Sequence, residues 1–110
     1  MPVYLIIEIS VTDAATYSRY VDQVFDIVSR HGGRYLARGG KLTPVSGGLH
    51  PERIILIEFD TAEQVQQCFG STEYREIAPL REQSAISRAI VVEGYSPPNG
   101  GYRIREVSEL

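Results

Sequence analysis

Cysteine, tryptophan and lysine are almost missing from this chain of 110 residues. Its one cysteine, Cys68, cannot close an intrachain disulfide, and it cannot build a Cys-ligated zinc or iron–sulfur site. His31 and His50 are the two histidines, isolated and with no Asp or Glu at ligand spacing, so no metal site is expected. Basic charge is also short: the formal net charge is −3 and the pI about 5.3, which argues against a nucleic-acid partner. No apolar run approaches the roughly 20 residues that span a bilayer, so no membrane role is expected. Met1-Pro2-Val3-Tyr4 lacks the basic region and cleavage pattern of a signal peptide, and a cytoplasmic location is the expectation. Gly39-Gly40 and Gly47-Gly48 are not followed by Lys-Ser/Thr, which excludes a phosphate loop of that type; no nucleophile–base pairing and no cofactor motif can be read. What is left is ordinary globular composition, 43% hydrophobic and 23% charged, in a length that suits one small domain.

The elements follow from periodicity. Val3 to Ile9 is a short run rich in β-branched residues, which predicts a central strand. Thr12 or Asp13 can cap a helix from Ala14 to Arg30, where Tyr17, Val21, Val24, Phe25 and Val28 recur at helical steps. His31-Gly32-Gly33 ends it, with the histidine suited to the helix C-terminus. Gly33 to Arg38 predicts a second strand, after which Lys41 to Ser46 either continues it beyond a bulge or forms a loop. Arg53 to Phe59 is a third strand, and Thr61 with Gln64 predicts a capping box for a helix over Ala62 to Phe69. Ser71 to about Gln83 predicts a further helical segment, kinked or split at Pro79. Ile86 to Glu93 is a fourth strand. The order βαββαβ gives an α+β, ferredoxin-like domain over residues 1–95, with a four-stranded antiparallel sheet and helices on one face. Residues 96–110 read as a Pro/Gly linker and a polar tail, with Tyr102 to Leu110 docking on the chain's own sheet edge or on a partner copy.

The strand alternation leaves both faces of this sheet apolar. Val3, Leu5, Ile7 and Ile9 point one way; Tyr4 and Ile6 point the other, together with Ile54, Leu56 and apolar residues of the fourth strand. Helices cover one face, so the second predicts self-association, sheet against sheet, with the tail folding over it as the alternative. An RNA-recognition domain of the same topology needs exposed aromatics and a basic Gly-aromatic motif in the third strand; Arg53 to Phe59 has neither.

Gly32-Gly33-Arg34-Tyr35-Leu36-Ala37-Arg38-Gly39-Gly40, Pro51-Glu52-Arg53, Ile57-Glu58-Phe59, Ser71-Thr72-Glu73-Tyr74 and Leu80-Arg81-Glu82 resemble the family called domain of unknown function 1330. The resemblance runs from Met1 to about Tyr95. It implies a dimeric α+β barrel, two ferredoxin-like sheets packed face to face, in a superfamily that includes small monooxygenases, haem-degrading enzymes and lactone isomerases. Where members often carry an aromatic pair before the Ser-x-Glu-Tyr stretch, this chain has Cys68-Phe69.

Ten arginines stand against one lysine. Arg34, Arg38, Arg53 and Arg81 can hold an anion in bidentate fashion, or can pair with Glu8, Glu58, Glu73 and Glu93. Arg38 and Arg81 fall within the family-like motifs. Tyr17, Tyr20, Tyr35 and Tyr74 can bury a ring and aim a hydroxyl at a pocket, Tyr74 beside the cleft between helix and sheet. Cys68 reads as a small core hydrophobe. The candidate ligand-binding residues are therefore Arg38, Tyr74, Arg81 and Tyr17, with the catalytic residues left unassigned. Two functions follow: a small-molecule binder or enzyme, its ligand a small organic molecule that is anionic if the arginines hold it, or a non-catalytic dimeric domain whose charges serve stability.

Overall fold

A computed structural model describes residues 1–97. The tail from Tyr102 to Leu110, for which docking was expected, lies outside the described residues. Four strands and three helices are present: β1 (Val3–Val11), α1 (Ala14–Arg30), β2 (Arg34–Arg38), β3 (Arg53–Phe59), α2 (Ala62–Phe69), α3 (Thr72–Ser84) and β4 (Ala85–Glu93). The strands form one sheet in the order β2-β3-β1-β4, antiparallel throughout. This is the ferredoxin-like α+β fold. No helix among the described residues is long and apolar enough to cross a membrane.

Side-chain chemistry sets the ends of the elements. Asp13, not Thr12, caps α1, its carboxylate accepting from the Thr16 amide at 3.2 Å. His31 closes the helix, and its Nδ1 donates to the Ile27 carbonyl at 2.9 Å. At α2, Thr61 Oγ1 accepts from the Gln64 amide, while the Gln64 side chain reaches back to the Asp60 amide at 2.9 Å, one residue earlier than a capping box requires. Two expectations shift. Strand β1 runs on to Val11 because β4 continues to pair with it, Val11 opposite Ala85, after β3 has ended at Arg53 opposite Ile9. Helix α3 passes through Pro79 as one element rather than two. Proline removes the bond to the Arg75 carbonyl, but Tyr74 and Ile77 before it and Ser84 after it are all buried and hold the same axis. Lys41 to Ser46 forms loop.

One face of the sheet packs on the helices. Val3, Leu5, Ile9, Ile55, Ile57 and Phe59 are buried there against Tyr17, Tyr20, Val24, Ile27, Val28, Cys68, Tyr74 and Ile77. Cys68 is fully enclosed, as its place on the apolar side of α2 implies. The other face carries no helix. Across it runs an apolar row, Ile90 opposite Ile6, Ile6 opposite Leu56 and Leu56 opposite Ala37, which spans all four strands. Charged rows flank it. Arg88 pairs with Glu8 on one side, and on the other Arg34 donates to Glu58 and Asp60, each at 2.9 Å. The Arg34 and Tyr4 hydrogen bonds hold the Glu58 carboxyl below its ordinary range, so this pair is present above the free carboxyl's pKa and is lost in acid.

Gly33 marks where the chain turns from α1 into β2 in the tightest part of the core. A Cβ there would stand 2.5 Å from Val28 Cγ1 and 2.8 Å from Phe59 Cζ, both on fully buried side chains. Gly33→Ala is therefore expected to lower stability by about 1–3 kcal/mol, read as a lower urea midpoint at unchanged slope.

Candidate functional site

Between α1, α3 and the sheet, the core does not close. A cavity of about 30 Å³ is lined by Tyr17 and Tyr20 of α1, Tyr35 and Arg38 of β2, Arg53 of β3 and Arg81 of α3, with Ile7, Ile55 and Phe69 as its apolar wall. That volume suits about two water molecules. Ile7, Phe69 and Arg81 also belong to a wider, open groove of about 570 Å³ under α3 and over β1 and β4, whose lining includes Leu5, Tyr74, Ala78, Glu82, Ser87 and Ala89. The groove is within the range of sites that hold small organic molecules, roughly 300–1,000 Å³.

A hydrogen-bonded chain crosses the junction of the two spaces. The hydroxyls of Tyr20 and Tyr74 meet at 2.8 Å, Arg81 Nε donates to Tyr74 Oη at 3.1 Å, and Arg81 Nη1 donates to Ser87 Oγ at 2.6 Å. Tyr74 is held by edge-on packing against Phe69 and Tyr20, with ring centroids 4.8 and 6.2 Å away. Burial, with the Tyr74 hydroxyl beside it, pushes the Tyr20 phenol far above its ordinary pKa. Burial likewise pushes Tyr35 up to about 12 and Cys68 up to about 11. At neutral pH these tyrosines are neutral hydrogen-bond donors and Cys68 is an unreactive thiol.

At the other side of the cavity, Arg38 donates from Nη2 to the Val21 carbonyl at 2.8 Å, and its Cζ lies 5.3 and 5.0 Å from the ring centroids of Phe25 and Tyr35, which stack on each other. Arg38 reaches this face through a β-bulge. The register slips between Tyr35 and Ala37, so Tyr35 lies opposite Ile57 but Ala37 lies opposite Leu56 on the outer face, and Arg38 returns to the helix-covered face opposite Ile55. Arg53 lies over the Tyr17 ring, 5.7 Å from its centroid. Gly39, in the left-handed region at φ +71°, leaves the space that the Arg53 guanidinium fills; a side chain at Gly39 would collide with it.

The structure thus places Tyr17, Arg38 and Arg81 on one cavity and Tyr74 at its junction with the groove. Arg34 is not with them: it is paired to Glu58 and Asp60 on the outer face. Arg53 and Tyr20, which are not among the four sequence candidates, also line the cavity. Arg53 stands at the start of β3, and the alternation that puts Ile55 inward puts it inward too, which is the signal that finds it. The lining can donate hydrogen bonds and stabilise negative charge. Among the described residues, no three His, Cys, Asp or Glu side chains gather as metal ligands.

These features define a ferredoxin-like α+β domain with a polar pocket under its helices. The chain belongs to the family described as domain of unknown function (DUF1330), whose model matches residues 2–95. No curated protein sequence matches it. Among solved structures it is similar to RPA0582, a protein of unknown function from Rhodopseudomonas palustris, with a TM-score of 0.73 at 17% identity over 87% of this chain and 84% of that one. It is also similar to a dimeric protein of unknown function and ferredoxin-like fold from Bacteroides fragilis (TM-score 0.63, 13% identity, 84% and 96% covered). A third likeness is to SnoaB, a cofactor-independent oxygenase from Streptomyces nogalater (TM-score 0.62, 9% identity, 89% and 97% covered). At these identities the likeness is one of fold.

Arg81 bonds neutral hydroxyls and no carboxylate. Removing it strands no buried charge, so Arg81→Met is expected to lower stability by about 1.5–3 kcal/mol, the value of a hydrogen bond from a charged donor, and not the 3–5 kcal/mol of a broken buried ion pair. Thermal unfolding without ligand measures the difference.

Proposed function

We propose that this protein is a homodimer that binds a small organic molecule in the pocket between its helices and its sheet. The observation that carries the pocket is the chain Tyr20–Tyr74–Arg81–Ser87, polar groups drawn from α1, α3 and β4 into the one region where helix and sheet part. Hydroxyl and guanidinium donors along an apolar groove are what orients a small molecule. Glu82 at the groove's edge is the one carboxylate of the lining. The pocket therefore favours chemistry in which the ligand accumulates negative charge, and SnoaB shows that an oxygenase without a cofactor is carried by this fold.

The dimer rests on the helix-free face. Ile6, Leu56 and Ile90 lie in one row, Ile90 is 64% exposed, and Val92 and Ile86 on the same side are also exposed. A second copy brings the same apolar row and the same flanking ion pairs, so the surface is self-complementary about a two-fold axis. Face-to-face sheets leave the pocket, on the opposite side of each sheet, open. The Bacteroides fragilis protein of this fold is described as dimeric.

Leu56→Arg sets two like charges against each other across that axis, and we expect sedimentation at micromolar concentration to show monomer where the unaltered protein shows dimer. A well-folded unaltered monomer overturns the assembly. For the pocket, a thermal-shift screen of small aromatic and aliphatic compounds is expected to find stabilisers, worth ~2.7 kcal/mol at one hundred times Kd. Ala89→Trp fills the groove from exposed β4 and should abolish the shift while leaving the ligand-free melting temperature nearly unchanged. Stabilisers that act equally on both proteins overturn the site.

A further inference from the structure

The arginines divide by partner. Arg30, Arg34 and Arg88 each form an ion pair with a carboxylate. Arg38, Arg53 and Arg81 form none, and these three share one cavity whose lining contains no Asp or Glu. Guanidinium does not give up its proton under these conditions, so the cavity gathers three permanent positive charges, those of Arg53 and Arg81 half-buried and that of Arg38 exposed at its mouth. Arg81 and Arg38 are nevertheless hydrogen-bonded, to Tyr74 and Ser87 and to the Val21 carbonyl. Arg53 is not. Its Nε is buried without a hydrogen-bond partner in the protein, and its guanidinium is held only over the Tyr17 ring, in the space kept by Gly39. A buried donor left unpaired is destabilising, so of the three guanidinium groups Arg53 is the least satisfied by the protein.

Resting on the pocket proposed above, we infer that its ligand is an organic carboxylate with an apolar, ring-sized body. The carboxylate fits the small cavity, where the Arg53 guanidinium, which has no protein acceptor among the described residues, joins Arg38 and Arg81 in supplying positive charge. The body fits the groove, whose wall of Leu5, Ile7, Phe69, Ala78 and Ala89 is apolar. The further role of Arg53 is that of a specificity-determining residue for the acidic head.

The test compares 2-naphthoate with naphthalene-2-carboxamide, its neutral isostere, by calorimetry and by the arginine Nε–H resonances of the full chain. We expect the carboxylate to bind at least tenfold more tightly, to shift the Arg53 resonance, and to weaken as salt is raised. Arg53→Gln should lose about ten- to a hundredfold in affinity for 2-naphthoate and little for the amide, whereas Arg88→Gln, on the outer face, should bind as the unaltered protein does. Melting temperatures of both variants without ligand exclude misfolding as the cause. Equal binding of carboxylate and amide at the groove overturns the acid and leaves the pocket standing. Binding of neither overturns both. Inorganic phosphate binding as tightly as 2-naphthoate, with the same dependence on Arg53, overturns the apolar body.

Discussion

Two of the four strands, β1 and β3, are apolar on both faces, and the helices of one chain can cover only one of them. This constraint divides the molecule. The covered face, with Ile57 and Phe59 at its centre, forms the core and decides where α1 and α3 sit. The uncovered face keeps an apolar row of Ile6, Leu56 and Ile90 between two charged rows. A sheet exposed to water on one side ordinarily alternates apolar and polar residues, so the row is the part of the surface least suited to a monomer.

The same division sorts the arginines. On the outer face each has a carboxylate directly or diagonally across the strand, Arg34 with Glu58 and Arg88 with Glu8. Such pairs stand in solvent and contribute little to stability; their value lies in keeping the rim of the face polar and in fixing which rows can meet. On the covered face Arg38, Arg53 and Arg81 are set among rings and hydroxyls. None of these three is paired with a carboxylate.

Much of this was legible before any coordinate. The alternation in Val3 to Ile9 and Arg53 to Phe59, the cap at Asp13, the histidine–glycine stop and the Thr61–Gln64 signal are local, and local chemistry decides them. Cys68 and Tyr74 were placed by the same reasoning. The position of Arg38 was not legible in this way. Strict alternation from Arg34 sends Arg38 to the outer face, and only the bulge at Leu36 returns it to the pocket. A bulge depends on what β2 meets in β3, and no residue of β2 states it alone. The continuity of α3 through Pro79 has the same origin: proline's local preference is overruled by three buried side chains on one axis.

The three cations of the pocket are held in different ways. Arg81 is spread across two hydroxyls, and Arg38 across a carbonyl and two ring faces, each of which offers electron density to a positive charge. Arg53 has one ring and no acceptor. The three are therefore unequally satisfied, and the deficit is concentrated at the residue whose place is made by a left-handed glycine. Glycine at that position has no role in the core, because its missing side chain leaves room for a guanidinium and for nothing apolar. Gly39 thus makes room for a positive charge in a cavity whose lining holds no Asp or Glu, and this is the physical ground for the acidic ligand proposed above.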